Sequence, residues 1–258
     1  HEYGYFPGCV DFMDVEVKFT HLNKGDADHA SIAAASIKLL NYADIDPLIL
    51  DMNVFKCSGH DQLWQGNLEV FDALKEHNLK RLKESGIKII TCSCAECYRT
   101  FAVDYDLPGT LGIKVEHITQ TLQGRGLKFK SPENVTVAYH DPCRLGRMMG
   151  EYEAPRDLIQ LVDGATMVEL ENNKERALCC GVSSMMYCND ATKAVRRKRL
   201  DQGSDAGIDL MLGGCPKCYM HMQCMLNEER MNPEEGHHHD YEMMDLMQFL
   251  VACLEDEK

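Results

Sequence analysis

No apolar run in this 258-residue sequence approaches the roughly 18–20 residues needed to cross a bilayer, so no membrane-spanning segment is expected. No basic leader followed by an apolar core opens the chain, which starts at His1 without a Met, so no secretory signal peptide is expected either. Positive charge is scarce: 27 Lys and Arg stand against 41 Asp and Glu, for a formal charge of −14 and a pI near 5.2. That excess of acid argues against nucleic acid and anionic lipid as main partners, and is neutral towards small thiols and other protein subunits. A soluble, cytoplasmic protein is expected, peripheral to a membrane only through a partner. The 45% apolar content suffices for a packed core, and the length allows one large or two ordinary domains.

Cysteine, by contrast, is abundant, at 13 residues. A secreted chain with this count would be a disulfide framework with one thiol left over; the spacings here favour metal ligation in a reducing compartment. Cys179-Cys180-Gly181 is the centre of the pattern. Cys143 lies 36 positions before it (179 − 143), and Cys215-Pro216-Lys217-Cys218 begins 35 positions after Cys180 (215 − 180). Two vicinal thiolates cannot both ligate one zinc ion without strain, but they can reach different irons of one cluster. Cysteines grouped 1 + 2 + 2 therefore read first as an iron–sulfur site, against the alternative of buried or disulfide-bonded cysteines.

The chain repeats itself. Tyr5-Phe6-Pro7-Gly8-Cys9 matches Tyr139-His140-Asp141-Pro142-Cys143; Cys57-Ser58-Gly59 matches Cys179-Cys180-Gly181; Cys94-x-x-Cys97-Tyr98 matches Cys215-x-x-Cys218-Tyr219. The last two offsets are 122 (179 − 57) and 121 (215 − 94), so the halves run nearly in register. Strand patterns are expected at 2–6, 48–50, 87–90, 135–139, 167–170 and 208–212, and helices at 28–40, 68–85 (stopped by Gly86), 155–162 and 190–201. Residues 115–122 read as a short helix or strand, 232–240 as a polar loop and 241–254 as an amphipathic helix. The alternation implies an α/β fold of two pseudo-symmetric Rossmann-like domains, 1–130 and 131–258, with ligands where strands end. Ser58 stands where the second half has Cys180. The first half then offers Cys9, Cys57, Cys94 and Cys97, a set that suits either Zn²⁺ or an iron–sulfur cluster, with Cys92 as a substitute ligand.

At these residues the chain resembles the cysteine-rich, or CCG-domain, family, which includes the catalytic subunit of heterodisulfide reductase and related iron–sulfur subunits. The resemblance runs from about Tyr3 to Cys218 and is strongest at 139–147, 178–181 and 214–218, with 94–101 similar to the family's first CxxC. It implies a non-cubane [4Fe-4S] cluster on Cys143, Cys179, Cys180, Cys215 and Cys218, and a second iron–sulfur cluster or Zn on the first-half cysteines. In heterodisulfide reductases two such clusters split a disulfide between them. The chain departs from that pattern at Ser58, in Val182-Ser183-Ser184-Met185-Met186 where relatives have a glycine run, and in lacking a ferredoxin-type C-x-x-C-x-x-C-x-x-x-C-P segment. A ferredoxin-like iron–sulfur subunit or a flavoprotein subunit is therefore the implied partner.

The implied activity is that of an oxidoreductase subunit, active in a complex on a small thiol or disulfide. The alternatives are an electron-transfer subunit of a flavin-linked 2-hydroxy acid, glycerol 3-phosphate or succinate dehydrogenase, and a zinc-stapled scaffold. His140 could protonate a leaving thiolate, and Arg144 or Arg147 could hold a carboxylate or phosphate. Their blander roles are hydrogen bonding and charge compensation. The run 193–199 reads as a solvated basic face and His237-His238-His239 as a solvated loop. Cys188, Cys224 and Cys253 read as buried small residues, and the Met-rich stretches 220–231 and 243–247 as core or partner-helix contacts.

Overall fold

The computed structural model describes residues 1–10, 28–182, 189–236 and 238–255; Cys188, residues 183–186 and His237 lie outside the described residues. β1 (Tyr3–Phe6) sits between β2 (Leu48–Ile49) and β3 (Ile89–Cys92), and β4 (Lys114–His117) pairs with β3. The second sheet repeats the plan with β5 (Phe129–His140), β6 (Val162–Val168), β7 (Leu210–Gly213) and β8 (Glu242–Asp245). The orders are β2-β1-β3-β4 and β6-β5-β7-β8, all parallel. The registers agree as well: Phe6, Cys92 and His117 stand abreast in one sheet, His140, Gly213 and Asp245 in the other. The fold is thus mixed α/β, consistent with two repeats.

Parallel strands need crossovers, and helices supply them. The first repeat carries α1 (His29–Tyr42), α2 (His60–Trp64), α3 (Leu68–Ser85), α4 (Ala95–Arg99), α5 (Leu107–Leu111) and α6 (Ile118–Leu122). The second carries α7 (Gly146–Met149), α8 (Glu153–Gln160), α9 (Asp190–Asp205), α10 (Pro216–Met231) and α11 (Leu246–Ala252). Asp28 starts α1 by accepting from the Ser31 amide at 3.0 Å, and Gly86, at φ +69°, ends α3. Strand alternation feeds two apolar clusters. Phe6, Ala138 and Met211 enter one; Tyr5, Val137, Tyr139, Leu210 and Leu212 enter the other. Both clusters mix residues of both repeats. The repeats also trade helices, α1 packing on α11 and α6 on α8. No helix among the described residues is long and apolar enough to cross a membrane.

Two element readings are corrected. The stretch 241–254 is strand then helix, because Glu242-Met243-Met244-Asp245 pairs with the free edge of β7. The Asp245 side chain then accepts from Met247 N (2.9 Å) while Gln248 accepts from Asp245 N (3.1 Å), a capping box that opens α11. His117 and Gln120 do the same for α6, so 245–250 repeats 117–122. The strand expected at 167–170 instead begins at Val162, directly after α8. On α3, Leu68 is exposed, and Asn78 takes the buried place between Phe71 and Leu82. Its carboxamide holds Lys56 N (2.8 Å), Lys56 O (3.0 Å), Cys57 O (3.2 Å) and Tyr105 Oη (3.2 Å).

Burial pushes the Asp245 carboxyl up to about 7, against the pull of the Met247 amide. A carboxyl raised in the folded state costs stability once ionised, so its contribution is intact in acid and is lost as pH rises through about 7. Asp245→Asn keeps the cap and removes the charge. In urea denaturation it is expected to be more stable than the parent at pH 8, with the gap narrowing below pH 7 and closing near pH 4, where the unfolded carboxyl is protonated too; a pH-independent gap would refute this.

Candidate metal centre

The sequence-selected cysteines lie in the loops that follow strands or at the starts of the helices beyond them. Cys9 follows β1 through Gly8, whose φ is +74° and where a Cβ would stand 3.4 Å from the Cys97 sulfur. Cys94 immediately precedes α4 with Cys97 in its first turn; Cys215 precedes α10 with Cys218 in its first turn. In both, the first cysteine's carbonyl accepts the tyrosine amide four residues on, Tyr98 or Tyr219, at 3.0 Å. Unpaired N–H groups at the start of the long α10 favour negative charge on these sulfurs. Gly181 turns the chain after Cys179-Cys180 at φ +79°, where a Cβ would meet the Thr192 carbonyl oxygen at 2.4 Å; no other residue fits.

All nine candidate ligands are free thiols. In the second half Cys143, Cys180, Cys215 and Cys218 line one cleft, and the Cys179 thiol interacts with those of Cys143 and Cys180. In the first half Cys9 bonds Cys57 and Cys94 bonds Cys97. The Ser58 hydroxyl donates to the Cys97 sulfur at 3.4 Å, so the serine in the vicinal-cysteine place still reaches the sulfur set. Cys92 is fully buried at the end of β3, level with Phe6 and His117. The two sets meet: Cys94 lies in hydrogen-bonding contact with Cys215. Repeat spacing alone did not reveal that the two sets adjoin.

In the second set one sulfur is favoured as thiolate at its neighbours' cost, and in the first set two, with Cys215 and Cys97 holding Cys94 well below its ordinary value. The thiols of Cys143 and Cys180 hold Cys179 well below its ordinary value, and Cys9 holds Cys57 down to about 7. The same contacts, with burial, push Cys143, Cys9, Cys97 and Cys218 up. The thiols pushed up in this way give up their protons readily only to a thiophilic metal.

The cleft over the second set is lined by Glu96, Pro142, Cys143, Arg144, Cys180, Val182, Cys215, Lys217 and Cys218, so both repeats build it. Lys217, from within the second CxxC, donates to Asp61 (2.6 and 2.7 Å) and reaches Glu96 (2.7 Å), both from the first repeat. Burial pushes Glu96 up to about 7, with Lys217 pulling the other way. Arg144 stacks 3.8 Å over the Trp64 ring across the same boundary. His117 of the first repeat meets the Gly214 carbonyl at 3.2 Å, beside Cys215.

His140 and the basic run require correction. His140 is buried, its Nδ1 accepts from Arg199 Nε at 3.1 Å, and burial together with Arg199 pulls it down to about 3. It is a neutral imidazole, so the expected titration near neutral pH is absent. Its Nε2 is buried without a hydrogen-bond partner among the described residues, and the imidazole stands within 4.8 Å of the Cys180 and Cys218 sulfurs. The basic run is solvated only in part: Lys198 is exposed, but Arg196 and Arg199 are 1% and 0% exposed. Their i, i+3 spacing beside Leu200 was the missed signal. Arg147 braces the loop before Cys179 through the carbonyls of Glu175 (3.2 Å) and Ala177 (2.5 Å). His239 is buried between Glu229 (2.5 Å) and Asp201 (3.1 Å) rather than solvated, whereas His238 is exposed. Cys224, Cys253, Met220, Met222 and Met225 are buried in the core.

Replacing Lys217 by Met removes the ammonium that faces buried Glu96. Breaking such a pair costs about 3–5 kcal/mol. Urea denaturation is expected to show that loss at pH 8 and a smaller one at pH 5.5, where Glu96 is protonated in the parent as well; an equal loss at both would contradict it.

The cysteine-rich domain family, CCG, matches residues 3–102 and 137–223. A subunit of the dihydromethanophenazine:CoB–CoM heterodisulfide reductase of Methanosarcina barkeri is 31% identical over 213 residues, 78% of this chain and 52% of that protein. A subunit of the CoM/CoB fumarate reductase of Methanothermobacter marburgensis is 27% identical over 259 residues, 98% of this chain and 47% of that protein. The chain spans about half the length of these curated relatives. Among solved structures, the Picrophilus torridus aspartate racemase aligns over 97% of this chain and 91% of its own, at 12% identity and a TM-score of 0.38, too slight a likeness to carry weight. With the family matching both repeats, this chain belongs to the CCG cysteine-rich domain family.

Proposed function

We propose that this chain is an iron–sulfur subunit of an oxidoreductase related to heterodisulfide reductase, acting on a small thiol or disulfide. The observation that carries the reading is the gathering of Cys143, Cys180, Cys215 and Cys218 around one cleft, with Cys179 next to Cys180 in the chain and the His140 imidazole within 4.8 Å of the Cys180 and Cys218 sulfurs. Five thiols, two of them vicinal, exceed a tetrahedral zinc site and suit a non-cubane [4Fe-4S] cluster. When bound, the cluster supplies electrons and an iron to which a sulfur atom can bind. The first-half thiols Cys9, Cys57, Cys94 and Cys97 suit a second iron–sulfur cluster or Zn²⁺. The repeats are read as Rossmann-like units divided near residues 130 and 131.

The chain's own residues orient and compensate. The Nε2–H of His140 is a donor for sulfur of the second set, and Arg147 keeps the Cys179 loop in place. Arg144 offers a positive charge beside Cys143 for an anionic group on the substrate. Splitting a disulfide takes two electrons and leaves two thiolates; a ferredoxin-like or flavoprotein partner is the proposed source. Cytoplasmic location, with a membrane reached only through that partner, completes the reading. The relative named as part of a fumarate reductase, matching 98% of this chain, favours a second reading: an electron relay for a flavin-linked dehydrogenase of 2-hydroxy acids, glycerol 3-phosphate or succinate.

Anaerobic purification is expected to yield iron and sulfide with a paramagnetic signal that small thiols or disulfides perturb. Cys180→Ser is expected to lose that signal while the chain stays folded. Zinc without iron would overturn the proposal, and a signal indifferent to thiols would leave the relay reading.

A further inference from the structure

We propose that Arg199, assisted by Arg196, makes the second sulfur set the electron-accepting one of the two, through a permanent buried charge and by turning the His140 N–H onto its sulfurs. The inference rests on the reading of that set as an iron–sulfur site.

Both arginines project from one face of α9, the helix that follows the Cys179-Cys180-Gly181 loop. Arg196 Nε donates to the Cys180 carbonyl at 3.1 Å, so its charge sits directly behind a ligand. Arg199 donates to His140 Nδ1 (3.1 Å), the Asn172 carbonyl (2.6 Å) and Gln202 Oε1 (2.9 Å). All three acceptors are neutral, and its Nη2 is buried with no partner among the described residues. A buried guanidinium bonded to neutral groups keeps its field for the nearest anions. The carboxylate that faces Arg199, Asp141, is already bonded by both Nη atoms of Arg156 (2.7 and 3.0 Å), so the field that remains falls on the second set, where Cys218 faces Arg199 and the His140 imidazole lies within 4.8 Å of the Cys180 and Cys218 sulfurs. Because Nδ1 accepts from Arg199, the imidazole proton stands on Nε2, and the guanidinium thereby fixes which nitrogen offers a hydrogen bond to sulfur.

The first set lacks a guanidinium aimed at a histidine, and the residue matching Arg196 at the same offset (196 − 121), Lys75, donates to the Asp104 carbonyl at 2.6 Å rather than to a cysteine carbonyl. At the offset of 121 that aligns the two CxxC motifs (215 − 94), Arg199 corresponds to Asn78, an uncharged carboxamide that bonds Lys56, Cys57 and Tyr105. The charged neighbour the sets share, Lys217, is matched there by Asp61 and Glu96. A cation beside a reducible centre stabilises its more negative, reduced form, as does a hydrogen bond to its sulfurs. One electron, from the iron–sulfur or flavin donor class already proposed as partner, therefore comes to rest on the second set; no bond breaks and no proton moves.

The test is an anaerobic redox titration of the whole chain, followed by visible absorption and electron paramagnetic resonance. Arg199→Gln is expected to lower the second-set midpoint by at least a tenfold change in the reduction equilibrium, about 59 mV for one electron, with iron content unchanged. Arg199→Lys is expected to recover much of the shift. Gln202→Glu places a carboxylate on the intact guanidinium and is expected to lower the midpoint too, which keeps the question answerable if Arg199→Gln does not fold. Wild-type midpoints in iron-replete Arg199→Gln or Gln202→Glu would overturn the inference and leave the iron–sulfur reading standing. A parent chain without iron would overturn both.

Discussion

The ammonium of Lys217 is buried between two carboxylates that the other repeat contributes, Asp61 and Glu96. Burying the Lys217 or Glu96 charge alone would cost several kcal/mol, so the two are buried together, with the partly exposed Asp61 closing the cluster. Because Lys217 lies inside Cys215-Pro216-Lys217-Cys218 and Glu96 inside Cys94-Ala95-Glu96-Cys97, closing this ion cluster draws the two CxxC turns against each other. The contact of Cys94 with Cys215 follows from it. The stacking of Arg144 on Trp64 and the meeting of His117 with Gly214 span the same boundary.

The sheets make that meeting available. Parallel strands of each sheet share one direction, so the loops that follow them gather at one end. The exchange of helices, α1 onto α11 and α6 onto α8, leaves neither apolar cluster complete within one repeat. In a CCG-family chain this arrangement turns two separate cysteine patterns into one continuous sulfur-rich region.

Charge is distributed with the same logic. The chain as a whole carries −14, yet Arg156, Arg196, Arg199 and Lys217 are all buried. Arg156 is spent on Asp141 (2.7 and 3.0 Å) and Glu169, tying down the loop that delivers Cys143. Arg196 and Arg199 lie behind Cys180 and His140 instead, where thiolate charge needs an opposite. The chain's net acidity thus says little about the site, where buried cations lie close to the sulfurs.

Reading the chain residue by residue was enough for whatever depends on near neighbours. The sulfur ligand spacings, the repeat, β1, α1 and the glycine stop of α3 were all legible, because turn chemistry and periodicity act over a few positions. Residues 242–245 were misread as helix although Asp245 and Gln248 carried a capping signature that starts the helix after them, since a four-residue strand is indistinguishable from a helix start until β7 offers it an edge. Arg199 read as solvated and His140 as titratable because burial depends on which distant segments close over a side chain. The union of the two cysteine sets was likewise decided by packing: Cys94 and Cys215 are 121 positions apart (215 − 94), and only the buried Lys217 cluster and the shared core bring them together.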